Sequence, residues 1–165
     1  ALKLMSTILG GGMSSRLFQK VSDELGAAYY VRAEADLFTD HGYIAVSSGV
    51  DHAKLEKVED AVIGQMNKLA TDLVQSDELQ KAKNHLIGKI ILGLESSDEL
   101  ASFYGGQEIL GEEIVTPMDL IKKVEEVRAE EILDLAKEIF QDSKLNLALI
   151  GPIKDSSKLE NLLHF

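Results

Sequence analysis

The segment ILGGGMSSRLFQKVSDELGAAYY, residues 8–30, decides how this chain begins to fold. Three consecutive glycines, Gly10–Gly12, separate the end of one apolar helix from the start of another. Apolar residues then recur at helical spacing, which predicts a second helix from about Ser14 to Leu25. Gly26 follows and ends that helix. The glycine run is most simply a helix-to-helix connection that uses backbone angles with positive φ.

A β-hairpin is predicted next. Apolar and polar residues alternate strictly over Ala27–Leu37, and this period of two is typical of a half-buried strand. A turn leads into Tyr43–Val50, which we expect to be the antiparallel partner. Tyr29 falls on the face of the first strand that carries the apolar residues.

The rest of the chain predicts five further helices, a terminal helix and one more strand. Three of the expected starts are marked by capping residues, at Asp51, at Ser97 or Asp98, and at Thr116-Pro117, and another helix is expected to start at Ser76. The apolar run Leu145–Ile150 is too short for a helix and is expected to be a central strand of the same sheet.

These elements predict an α+β fold in one domain, residues 1–165, with a mainly antiparallel sheet packed on several helices. Three strands make a thin sheet, and a strand ahead of Ala1 would complete it. We therefore expect the chain to be a fragment that lacks its first strand. An unpaired sheet edge also suggests a homodimer.

Composition excludes several functional classes. The net charge of −11 disfavours a nucleic-acid partner and an anionic membrane surface. No cysteine is present, which removes disulfides and thiolate nucleophiles and leaves the compartment open, with the cytoplasm favoured. The four histidines do not stand at the spacing of a zinc-binding helix. We therefore expect neither a metal site nor catalytic residues in this chain.

Three stretches together resemble one family of enzymes. Besides residues 8–30, the run Glu78–Leu86 has the pattern E-L-x-x-A-K-x-x-L, and Leu147–Pro152 is an apolar run ending in Gly-Pro. In this order and spacing they resemble the non-catalytic half of pitrilysin/insulinase-type zinc peptidases, the inverzincins. Such enzymes pair an H-x-x-E-H half with a related half that helps to bind substrate. The resemblance implies zinc on a partner half and none here.

The resemblance also implies a substrate-binding site. In the family an arginine and a tyrosine seven residues later contact the bound peptide, within a pattern like V-R-E-K-x-G-x-A-Y. The matching run is Val21–Tyr29, where Tyr29 agrees and Ser22 stands in place of the arginine. A serine offers no charged, forked donor. The loop Gly10–Gly12 corresponds to a glycine-rich loop that borders the substrate chamber.

The leading hypothesis is the substrate-binding, non-metal half of a zinc peptidase, with the metal-bearing half and a peptide as partners. The loss of arginine at Ser22 leaves a second hypothesis, a degenerate structural or interaction subunit without catalysis. A third, from another class, is a small anion-binding module that uses backbone N–H groups of Gly10–Gly12.

Overall fold

The computed structural model describes residues 1–111, 113–153 and 157–165. In chain order, the helices are α1 Leu2–Gly10, a π-helix Phe18–Glu24, α2 Leu55–Thr71, α3 Ser76–Leu92, α4 Ser97–Leu110, α5 Pro117–Glu126, α6 Ala129–Ile139 and α7 Ser157–Leu162. Strands β1, Ala28–Leu37, and β2, Gly42–Val50, lie between the π-helix and α2, and form an antiparallel sheet. The α+β prediction is confirmed.

Helix α1 is the centre of the core because it is apolar on nearly every side. Leu4, Met5, Ile8 and Leu9 are all buried, and the helix packs on β1, α3 and α6. The ammonium of Lys3 also donates to the carbonyl of Ala35 on β1. This packing fixes the end of α1, and therefore the glycine loop, against the sheet.

The hairpin is regular except at its first residues. Pairing runs from Leu37 opposite Gly42 to Tyr30 opposite Gly49, and a bulge at Tyr29 separates this ladder from the pair Ala28–Val50. The bulge turns Tyr29 away from the core, so that 86% of its surface is exposed. The expected place of Tyr29 on the buried face is therefore wrong.

Two of the predicted caps are observed, Asp51 at the 3₁₀ turn His52–Lys54 before α2 and Thr116 at α5. The hydroxyl of Thr116 accepts from the Asp119 N–H while Asp119 accepts from the Thr116 N–H, and Pro117 occupies the first helical position. Helix α4 is capped by Ser96 in the same reciprocal way, one residue before the expected position, because Glu99 stands three residues later and completes the box.

Two expectations about local structure are wrong. Residues 18–24 form a π-helix rather than an α-helix, and the Ala27 N–H donates to the Val21 carbonyl at 3.0 Å across the wide turn. Leu145–Ile150 is not in the sheet, which has only β1 and β2 among the described residues. Leu145 has extended backbone angles, but among the described residues no strand pairs with this run.

In the described parts of the chain, no helix is long and apolar enough to cross a bilayer. Helix α4 stands apart from the core, since Gln107 alone of its residues is buried. The Gln107 amide anchors it by accepting from the Val115 N–H at 2.7 Å and donating to the Val115 carbonyl.

Candidate functional site

The glycine loop is built for close packing at its first residue. A Cβ on Gly10 would lie 2.3 Å from the Ala33 nitrogen and 2.7 Å from the Ala33 Cβ. Only a residue without a side chain lets the end of α1 approach the β1 backbone this closely. None of Gly10–Gly12 has a positive φ, which in the described residues is found at Gly26 and Gly111. The expectation of positive φ in the loop is therefore wrong.

Gly11 and Gly12 border a small polar cavity of about 250 Å³ between the loop and the start of α3. The carbonyl of Gly12 accepts from the Ser15 hydroxyl at 2.6 Å and from the Ser15 N–H at 3.0 Å. His85 lies across the cavity, and its ring carbon Cε1 is 3.8 Å from the position that a Cβ on Gly12 would occupy. Gly10 does not line this cavity.

The charges around the cavity do not favour an anion. Two carboxylates, Asp77 and Glu78, face it. Arg16 donates to both oxygens of Glu78 at 2.8 Å, and Lys81 lies 3.3 Å from Asp77. The hydrogen bond from Lys81 is the main cause of a lowered pKa at Asp77. The cations beside the loop are thus already paired, which argues against the anion-binding alternative.

Ser22 and Tyr29 lie on the two sides of the turn at Gly26. Ser22 is half-buried on the π-helix, which packs against β1. Gly26 makes the turn with φ of +53°, as expected for the residue that ends the helix. Tyr29 follows on the bulge with its ring in solvent. Neither residue lines the glycine cavity, so the structure separates Ser22 and Tyr29 from Gly11 and Gly12.

Nearby bases do not simply replace the missing arginine. Arg16 is committed to Glu78, and Lys20 pairs with Glu24 at 2.5 Å. The Arg32 guanidinium lies 5.9 Å from the centroid of the Tyr30 ring, over that ring. Arg16, Lys20 and Arg32 are thus each in contact with a residue other than Ser22 or Tyr29.

Sequence reasoning missed one base near this turn. The ammonium of Lys54 donates to the Gly26 carbonyl at 2.8 Å, although 28 residues separate them. Lys54 comes from the 3₁₀ turn His52–Lys54, which precedes α2. A contact of this sequence separation leaves no local pattern, so no signal in the sequence would have found it.

The residues present do not fit zinc. No group of three or more His, Asp or Glu side chains in the described ranges is close enough to hold a metal ion. His41 lies in the hairpin turn, stacked on Phe38 with ring centroids 4.7 Å apart, and His52 lies in the turn before α2. The described side chains therefore provide no set of converging metal ligands.

The first half of the chain matches a family profile. The profile described as "Peptidase M16 inactive domain" covers residues 1–86. Over 155 residues the chain is 30% identical to a Streptomyces coelicolor protein named an uncharacterized zinc protease, and over 151 residues it is 31% identical to the uncharacterized zinc protease YmxG of Bacillus subtilis. The matches cover 94% and 92% of this chain but 34% and 37% of the relatives. The chain thus spans about a third of their length.

Solved structures share the fold at lower identity. A protease from Helicobacter pylori superposes with a TM-score of 0.76 at 22% identity, over 87% of this chain and 34% of that one. A peptidase M16 inactive domain from Pseudomonas fluorescens superposes with a TM-score of 0.74 at 19% identity, over 83% of this chain and 33% of that one. A chain of complex III from Candida albicans superposes with a TM-score of 0.74 at 14% identity, over 86% of this chain and 36% of that one. At these identities the likeness establishes the fold alone.

Proposed function

This chain belongs to the peptidase M16 inactive-domain family, and from that membership we propose that it is the substrate-binding, non-metal half of a zinc peptidase. Its working partner would be a half with H-x-x-E-H, in the same polypeptide or in a second subunit. Relatives named as zinc proteases, about three times as long as this chain, support the proposal. Zinc and the groups that act with it belong to the partner half, and this chain adds a hydrogen-bond donor to the bound peptide.

The position of Tyr29 carries the proposal. The bulge holds an aromatic ring with 86% of its surface in solvent, at the start of a strand whose neighbouring apolar residues are buried. A large exposed aromatic on a bulge has no packing role in the isolated domain, and bulges often aim a side chain at a binding site. The ring is therefore free to meet a bound peptide.

In this proposal the Tyr29 hydroxyl donates a hydrogen bond to a carbonyl of the peptide. The peptide lies extended along β1 on the side away from β2, where no strand pairs with β1 in the described chain. Main-chain hydrogen bonds to such an edge give affinity without a sequence requirement. In this proposal Ser22 lines the approach to the turn, and Gly11 and Gly12 border the peptide at a second place, the cavity beside α3, whereas Gly10 is buried against β1.

One observation favours the second candidate, a structural or interaction subunit without catalysis. Ser22 stands where the resemblance implies a charged donor, and the bases Arg16 and Lys20 are paired elsewhere. The fold is shared with a chain of complex III from Candida albicans, whose name describes an assembly and not a peptidase. A family member that no longer binds substrate does not need this charged donor, so the loss of the donor fits the second candidate.

Peptide turnover by the protein together with its metal-bearing half separates the two candidates. Tyr29→Phe should lower turnover by about 10²-fold, as removal of one donor to a reacting carbonyl does. The melting temperature should hardly change, since the ring is exposed. Tyr30→Phe is the matched control, because this ring packs over Gly49 and its hydroxyl has no role in the proposal, so turnover should be unchanged.

Ser22→Arg provides a second measurement. If the serine is a simple loss of the usual pair, the new guanidinium should raise turnover above that of the natural chain. Unchanged turnover in Tyr29→Phe, with Ser22→Arg also silent, would favour the structural subunit.

A further inference from the structure

A lysine from a distant part of the chain reaches the turn that lies between Ser22 and Tyr29. The ammonium of Lys54 donates to the Gly26 carbonyl at 2.8 Å. Gly26 follows Ser22 by four residues and precedes Tyr29 by three, so its Cα lies at most about 11 Å from the Tyr29 Cα. The charge of Lys54 is thus placed at the start of β1, close to the bulge that holds Tyr29.

The backbone on the N-terminal side of Lys54 fixes its position. Val50, the last residue of β2, pairs with Ala28 at the start of β1. The Asp51 carboxylate then accepts from the Ala53 N–H at 3.0 Å, and the Asp51 carbonyl accepts from the Lys54 N–H at 2.8 Å. This 3₁₀ turn leads directly into α2. The half-buried Lys54 side chain therefore extends toward Gly26 from the junction of two regular elements.

The electrostatic partners of Lys54 differ from those of the other bases near this turn. Arg16, Lys20 and Arg32 lie 2.8, 2.5 and 3.9 Å from carboxylate oxygens. In the part of the chain that the structure describes, no carboxylate oxygen lies within 4.0 Å of the Lys54 ammonium. An ammonium has three N–H donors, and the Gly26 carbonyl takes one of them. The other donors remain available to a ligand.

An ammonium in this state favours a carboxylate as its next partner. The lysine ammonium is a compact and strongly hydrated ion. A second neutral carbonyl would displace its bound water for little gain, whereas a carboxylate forms a charge-assisted hydrogen bond, roughly twice as strong. The net charge of −11 repels an anionic ligand at long range, but salt at about 0.15 M screens this repulsion beyond about 8 Å and weakens a contact pair much less.

We infer that Lys54 binds a carboxylate of the peptide substrate at the point where the peptide passes Gly26. The inference rests on the proposed function, in which the peptide lies extended along β1 with one carbonyl at Tyr29. A residue in a strand spans about 3.4 Å, so the three residues from Gly26 to Tyr29 correspond to about three residues of peptide. The carboxylate should therefore lie about three positions from the peptide residue that contacts Tyr29. Its source is an acidic side chain or the C-terminus of a peptide that ends there.

Peptides that differ in one group test the inference on the protein together with its metal-bearing half. A single glutamate is moved along an otherwise uncharged, amidated peptide, and each peptide is compared with its glutamine counterpart. At the position that meets Lys54, the KM of the glutamate peptide should be about 10-fold lower, because only glutamate forms the charge-assisted bond. The kcat should be nearly the same, since the contact is equal in the ground state and the transition state.

A second peptide series tests the other source of the carboxylate. Peptides of graded length, whose only charge is the C-terminal carboxylate, are compared with their amides. A KM ratio of about 10-fold in either series supports the inference. The absence of a preference for the carboxylate in both series would overturn it.

Variants of Lys54 assign the preference to this side chain. Lys54→Met should make the KM values of the paired peptides equal, and Lys54→Arg should keep the preference. Lys54→Glu should transfer the preference to a peptide with lysine at the same position. Lys68→Met is the matched control, because Lys68 is exposed in the last turn of α2, about 21 Å away along the helix, and its loss should leave the preference intact.

A lysine that only closes the turn at Gly26 would give a different result. Lys54→Met would then lower the melting temperature and change the KM of both paired peptides alike, which would reject the inference. If Tyr29→Phe lowers turnover while Lys54→Met keeps the carboxylate preference, the inference fails and the proposed function stands. If Tyr29→Phe is silent and the preference follows Lys54, the carboxylate site stands and only the donor role of Tyr29 fails. If Tyr29→Phe is silent and no preference exists, both fail.

Discussion

Gly10→Ala offers the sharpest test of why the loop contains glycine. The added Cβ would lie 2.3 Å from the Ala33 nitrogen, whereas ordinary contacts begin at 3.4 Å. The end of α1 and the β1 backbone must therefore separate by about 1 Å, at a point where Leu9 and Ala33 are buried. Overpacking of this kind costs about 1–3 kcal/mol, and a backbone obstacle that cannot rotate away places the cost near about 3 kcal/mol.

For a chain of this size, about 3 kcal/mol lowers the melting temperature by about 6–12 °C. Thermal unfolding followed by circular dichroism measures this directly. Gly12→Ala is the matched control, since its Cβ would meet only the His85 ring, at 3.8 Å. We expect it to change the stability by less than about 0.5 kcal/mol.

The double variant Gly10→Ala/Ala33→Gly adds a further check. It removes the 2.7 Å contact with the Ala33 Cβ but not the 2.3 Å contact with the Ala33 nitrogen, so it should recover only part of the loss. A Gly10→Ala protein that melts within 1 °C of the natural one would refute the packing argument. A larger loss in Gly12→Ala than in Gly10→Ala would refute it equally.

Three further predictions concern stability. Gly64→Ala should raise it by about 0.5–1 kcal/mol, because nothing lies within 4 Å of the new Cβ in the middle of α2. Ser96→Ala should lower it by about 1 kcal/mol through loss of the capping box with Glu99, as measured by urea unfolding. Burial, with a smaller effect of Glu56, raises the pKa of Glu59 above its usual 4.5. Ionisation of Glu59 therefore lowers the free energy of unfolding as pH rises through the raised pKa. This loss is absent below pH 4.5. Glu59→Met should therefore raise the melting temperature at neutral pH, and the gain should shrink toward pH 4.

Elements specified by nearby residues could be predicted from the sequence. The box of Thr116 and Asp119, the helix end at Gly26 and the alternation of the β-hairpin each depend on residues a few positions apart. Local chemistry alone decides them, so the sequence pattern and the structure agree. The helical stripe over residues 14–25 marked the buried Leu17 and Val21 correctly, although the local geometry is π rather than α.

Features decided by distant residues could not be predicted. The reason for Gly10 is a strand backbone 23 positions later, and the Lys54–Gly26 contact joins two separate elements. Leu145–Ile150 has the composition of a strand, yet a strand exists only when a neighbour pairs with it. Tyr29 continues the alternation of apolar and polar residues in the sequence, but a single bulge turns its side chain away from the core. A bulge changes the side of the strand on which a residue lies without changing the residue pattern, so the sequence does not reveal it.

The π-helix and the bulge have a consequence for how related sequences should align. A π-turn within a helix and a bulge within a strand each accommodate one residue more than the regular element. Between Leu17 and Val31 the chain therefore contains two absorbed insertions, on either side of Gly26. A relative that lacks one of them should be a residue shorter inside the helix or the strand rather than in a loop. Such a deletion before Gly26 would rotate Ser22 about the helix axis by about 100°, while one after it would return the aromatic at position 29 to the core.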